Sequence, residues 1–86
     1  MPIVSAFYGI LIYFYFNDHN PPHFHAKYGD YEALIDMQTL GILKGNLPSK
    51  AHSLVIEWAS MHKEELIDNW NLAKQNEQPR KIEPLV

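Results

Sequence analysis

The 86-residue chain contains no cysteine. That absence removes disulfide frameworks, thiolate zinc sites, iron–sulfur clusters and cysteine nucleophiles together, so a metal must be taken by His, Asp or Glu. Basic residues are few: seven Lys and Arg stand against ten Asp and Glu, for a net charge of −3, and the first 26 residues hold neither Lys nor Arg. No basic stripe is available to follow a phosphate backbone. Lys27, Lys44, Lys50, Arg80 and Lys81 show no convergence in the sequence, and nucleic acid is disfavoured as a main partner. A phosphate-binding glycine loop is missing too, and Ser49, Ser53 and Ser60 lie in a helical stretch without the strained elbow of a serine hydrolase. The longest apolar run, Ile3 to Phe16, is too short to span a bilayer as a helix, has no positive leader and is rich in Tyr. The expectation is a soluble, cytoplasmic protein without a membrane role.

What is present is a front-loaded apolar sequence. Apolar residues make up 47% of the chain, enough for a core without staples, and nine of the eleven aromatics fall at or before Tyr31. Tyr8 to Phe16 is β-branched and aromatic and reads as one strand, with Ile10, Ile12, Phe14 and Phe16 on one face and Leu11, Tyr13 and Tyr15 on the other. Asn17 to Pro22 is turn chemistry, which must stop that strand. His23 to Tyr28 and Tyr31 to Met37 then alternate around Gly29-Asp30 as two further strands, and a short fourth follows around Ile42 to Lys44.

From Ser49 to about Gln75 there is no Gly or Pro, and Ala51, Leu54, Val55, Trp58, Ala59, His62, Leu66, Trp70 and Ala73 recur at helical spacing. A straight helix of that length would reach roughly 40 Å, beyond the roughly 30 Å expected for so small a domain. The apolar centre also drifts along the wheel, which places a break near Ser60 to Lys63. The fold class is therefore α+β: a three- to four-stranded antiparallel meander against one long or broken C-terminal helix. Residues 1–75 form the domain and 76–86 an extended tail. Tyr13, Tyr15, Trp58 and Trp70 are the large aromatics offered as interface candidates, with a core role for the two tryptophans as the competing reading.

The sharpest feature is Asp18-His19-Asn20-Pro21-Pro22-His23-Phe24-His25. Strand alternation puts His23 and His25 on one face, about 7 Å apart at Cβ. Two imidazoles can then converge on one divalent ion, zinc or manganese. His19 stands across the turn as a third ligand or general base. Asp18 and Glu32 are candidates for an oxygen ligand or for orienting an imidazole, and Asp18 is also a catalytic candidate. Such a site, with an open position, suits metal-assisted hydrolysis of a phosphodiester-type substrate. Beside it stands a purely structural reading, in which the histidines cap strand ends, stack on aromatics or bond carbonyls beside the prolines.

The opening Met1-Pro2-Ile3, then Phe7-Tyr8-Gly9, the Asp18 to His25 segment, and Leu66 with Trp70 resemble a small bacterial family known as domain of unknown function 4160. The resemblance covers nearly the whole chain, and the Pro-Pro-His-x-His core is its specific part. It implies constancy of His23 and His25 with more variation at the position of His19. It also implies a gene product paired with a second small protein in a toxin–antitoxin-like arrangement. Two functions follow as expectations: a protein-interaction module, meeting a partner or forming a homo-oligomer, and a metal-dependent hydrolase built on the histidine turn.

Overall fold

A computed structural model of the chain describes residues 2–86. Five strands precede two helices: β1 (Ile3–Phe7), β2 (Ile10–Tyr13), β3 (His23–Tyr28), β4 (Tyr31–Asp36), β5 (Ile42–Gly45), α1 (Ser49–Met61) and α2 (Lys63–Lys74). The strands form one antiparallel sheet in chain order. The α+β meander is thus as expected, with one strand more and the helix divided.

The extra strand comes from splitting what reads as one. Tyr8 and Gly9 take positive φ (50° and 80°), a two-residue hairpin turn that pairs Phe7 with Ile10 and sends the chain back along β1. Tyr-Gly lacks the familiar Asn-Gly or Asp-Gly signature, so the turn is hidden in the apolar run. Ile10 and Ile12 face the core as expected, and so does Phe14 beyond the strand end, whereas Phe16 lies in the connection to β3 and is largely exposed.

Phe24, Ala26, Ala33 and Ile35 from β3 and β4 join Ile10 and Ile12 on the buried side of the sheet, and Val55, Trp58 and Ala59 of α1 complete this core. Trp58 is fully buried between Phe7 and Phe24, whose rings lie 5.2 and 6.1 Å from its own. Tyr13 and Trp70 are buried as well. Of the four interface candidates only Tyr15 is exposed; the other three are spent inside the fold.

The long helix breaks at His62, inside the expected window. His62 has φ −129° and ψ 27°, its ring lies against Trp58, and its Nδ1 donates to Glu65 Oε1 at 2.6 Å. The break lets Leu66, Trp70 and Ala73 reach the core within a body 33 × 26 × 22 Å. Residues 77–86 have no regular secondary structure, and they are docked. Ile82 and Leu85 are buried, Ile82 N–H donates to Val4 O, and Trp58 Nε1 donates to Glu83 O. Beneath them Asn69 grips both backbone groups of Arg80. Among the described residues no helix is long and apolar enough to cross a membrane.

Candidate metal centre

Period-two alternation in β3 turns Phe24 into the core and leaves His23 and His25 on the opposite face, where their rings lie 5.2 Å apart. That face would be open to water but for the connection from Phe14 to Pro22, which folds back over it as a strap. The strap is tied down at α2: Asn17 N–H donates to Ala73 O at 2.9 Å, and Lys74 Nζ donates to Asp18 O at 3.0 Å. Asn17, with φ 53°, turns the backbone so that Asp18 points inward.

The Asp18 carboxylate is the centre of the arrangement. Its Oδ2 lies 3.0 Å from His23 Nε2 and 3.0 Å from His25 Nε2, and its Oδ1 accepts from the backbone N–H of His19 at 2.9 Å. The two imidazoles are nearly closed off, while the Asp18 side chain keeps 20% of its exposure. Burial works to raise the Asp18 pKa, but the hydrogen bonds from His25 and the His19 amide, with the neighbouring His23, outweigh it and hold the carboxyl below its ordinary value. For His25, burial dominates and lowers the imidazole pKa against the pull of Asp18. An ionised carboxylate thus faces an imidazole that favours its neutral form.

The tautomer of His23 sharpens this. Its Nδ1 sits 2.7 Å from the carbonyl oxygen of Pro21, which can only accept, so Nδ1 carries a hydrogen. In the neutral ring Nε2 then offers a lone pair, and it offers it to Asp18 Oδ2, which has only lone pairs itself. Two acceptors at 3.0 Å call for a cation between them, a proton or a metal. A first-row ion with bonds of about 2.1 Å sets neighbouring ligands about 3.0 to 3.4 Å apart, depending on geometry. The Asp18–histidine separations fall at the lower end of that range, and all three ligand atoms lie within 4.8 Å of one another.

Of the expected residues, Asp18, His23 and His25 are brought together. His19 is not: its side chain is exposed, and it contributes its amide to Asp18 in place of an imidazole to the centre. Asp18, not His19, completes with His23 and His25 the group of three that could hold a metal ion. Glu32 stands farther out, accepting at 3.0 Å from the hydroxyl of Tyr13, whose ring stacks on His25 at 5.1 Å and 20°. Burial, and then the facing Glu32 carboxylate, push the Tyr13 phenol well above its ordinary range. Tyr15 approaches the other side of His25 edge-on at 4.6 Å, and Trp70 lies 5.2 Å from His23. The place of Tyr13 depends on the Tyr13–His25 strand register, which no local pattern encodes. The Pro21 carbonyl carries no side-chain signal at all.

The family model for the domain of unknown function DUF4160 matches residues 9–71, and the chain belongs to that family. The match takes in the strap, both histidines and most of α2. No curated protein and no solved structure matches the chain.

Proposed function

We propose that this member of the DUF4160 family is a small metal-binding contact module, in which Asp18, His23 and His25 hold a divalent first-row cation that fastens the strap to the sheet. The observation that carries the reading is the convergence of His23 Nε2 and His25 Nε2 on one carboxylate oxygen, Asp18 Oδ2, at 3.0 Å each. Zinc and manganese are both compatible with a ligand set of two imidazoles and one carboxylate. The contact surface lies at the other end of β3, where Tyr8, Tyr28 and Tyr31 are exposed and Tyr8 and Tyr28 border a cleft of about 250 Å³ beside Pro48 and Lys50. A second copy, or the paired small protein that the family resemblance suggests, is the partner.

Calorimetric titration of the chelator-treated protein with zinc, manganese and nickel tests the metal. One ion per chain is expected, with loss of binding in His23→Ala and in His25→Ala and retention in His19→Ala. Equal binding in all four proteins, or none in any, would refute it. For the contact surface, light scattering of the protein alone and mixed with its gene neighbour should give a complex that Tyr8→Ser/Tyr28→Ser weakens; a monomer in every mixture would exclude the role.

A second reading, metal-dependent hydrolysis of a phosphodiester-type substrate, is favoured by the three-residue ligand set and by the partial exposure of Asp18, which leave positions for water. A cation bound there would lower the pKa of that water. Turnover of an activated phosphodiester that disappears in His23→Ala while the fold persists would support this reading; metal binding without turnover would leave the ion a structural role.

A further inference from the structure

The two histidines are held in different ways. His23 is aimed by a hydrogen bond, Nδ1–H to Pro21 O, the usual device for orienting a ligating imidazole. His25 has no hydrogen bond at Nδ1 among the described residues. Its imidazole is held between two tyrosines, face to face with Tyr13 and edge-on to Tyr15. Tyr15 is 44% exposed and belongs to the strap, so it is a loose wall. Tyr13 is 1% exposed, is the direct cross-strand neighbour of His25, and is pinned at its far end by the Glu32 carboxylate.

We infer that Tyr13 and Glu32 are a positioning pair for the metal centre: Glu32 fixes the Tyr13 hydroxyl, and the Tyr13 ring fixes the plane of His25 so that Nε2 points at the ion. The inference rests on the metal reading above. The hydrogen bond that links Glu32 toward the centre comes from Tyr13, across the width of β3 to β4. Lys27, the strand neighbour opposite Glu32, makes no ion pair with it among the described residues, which leaves the carboxylate to the phenol. With Asp18 holding only Nε2 and nothing among the described residues bonded at Nδ1, the ring plane of His25 is set by stacking, and anchoring its tyrosine neighbour at both ends limits rocking about the Cβ–Cγ bond.

Cobalt(II) titration followed by its visible absorption tests the pair, because the bands report ligand geometry directly. The proteins are wild type, Tyr13→Phe, Glu32→Ala, Glu32→Gln and the Tyr13→Phe/Glu32→Ala double variant. Loss of an orienting partner outside the ligand set weakens metal sites by roughly 10- to 100-fold when it touches the ligand by a hydrogen bond. One step removed, about 5- to 10-fold is expected for Tyr13→Phe and for Glu32→Ala, with an altered band shape in both. The double variant should be no weaker than either single one, since both remove the same hydrogen bond. Glu32→Gln, which still accepts from the phenol, should bind like wild type. Unchanged cobalt affinity and spectrum in both single variants, with only the metal-free unfolding midpoint moved, would overturn the pair. So would additive losses in the double variant, or a Glu32→Gln protein that behaves like Glu32→Ala, because the carboxylate would then act by charge. A wild-type protein that takes no cobalt would overturn the metal reading itself, and with it the inference.

Discussion

Asn69→Ala should cost far more than its position in a polar stretch of helix suggests. Asn69 is 1% exposed; its Nδ2 donates to Arg80 O at 2.9 Å and its Oδ1 accepts from Arg80 N–H at 2.8 Å. Alanine leaves both backbone groups without that partner. A buried group so orphaned costs about 1 to 3 kcal/mol, and one that regains water costs less, so a loss of about 2 to 4 kcal/mol is expected. Against roughly 4 to 13 kcal/mol for a domain of this length, that is a large share. The loss is cooperative with the core, because the same tail seats Ile82 and Leu85 and accepts the Trp58 indole N–H at Glu83 O. Urea unfolding followed by tryptophan fluorescence measures it, with Asn69→Asp as companion. The carboxylate still accepts from Arg80 N–H but sets an oxygen against Arg80 O, so it should lose at least as much as alanine. A loss below about 0.5 kcal/mol in Asn69→Ala, with an unchanged denaturant slope, would mean that the tail is not bound as described.

Gly45→Ala should be severe, because the added Cβ would stand 2.2 Å from the carbonyl oxygen of Glu32 at a backbone φ of +86°. A destabilisation of about 3 kcal/mol or more is expected in the same urea assay, and a loss under about 1 kcal/mol would show that β5 shifts freely. Acidification should weaken the chelator-treated protein. His25 has its folded pKa lowered, so the unfolded chain takes up its proton first and stability falls as the pH drops from the ordinary value of 6.5 through the lower folded one. Asp18 acts with the same sign at lower pH: its contribution is whole above 3.8 and is lost as the pH falls through its depressed folded value. Stability that stays level or rises as the pH falls below 6.5 would contradict the His25 assignment, and stability that stays level below 3.8 would contradict that of Asp18.

Much of the architecture was legible because it follows from periodicity. Alternation separated Phe24 from His23 and His25 and put Ala33 and Ile35 on one face, which proves to be the buried one, and the drift of the apolar stripe gave a window, Ser60 to Lys63, within which the helix breaks at His62. The Tyr8-Gly9 turn was not legible, since a tyrosine at positive φ leaves no trace in an apolar run. Nor was the docking of residues 76–86, where two isolated apolar residues and a clamp on the Arg80 backbone replace any repeating pattern. The site divided in the same way. His23 and His25 share a face by strand geometry, whereas the choice of Asp18 over His19 depends on how the strap turns at Asn17 and is held by Ala73 and Lys74, contacts more than fifty residues apart in sequence. Of the aromatics first considered for an interface, only Tyr15 faces solvent, and its ring stands edge-on to His25.

The most direct test of the metal centre is nitrogen NMR of the five histidine side chains during a zinc titration. In the metal-free protein Nδ1 of His23 should carry a hydrogen, bonded to Pro21 O. Zinc should move Nε2 of His23 and Nε2 of His25 into the metal-bound range together, at one ion per chain, and leave His19, His52 and His62 where they were. Shifts at His19 in place of His25, or no shift at His23 and His25 with zinc in excess, would contradict the assignment.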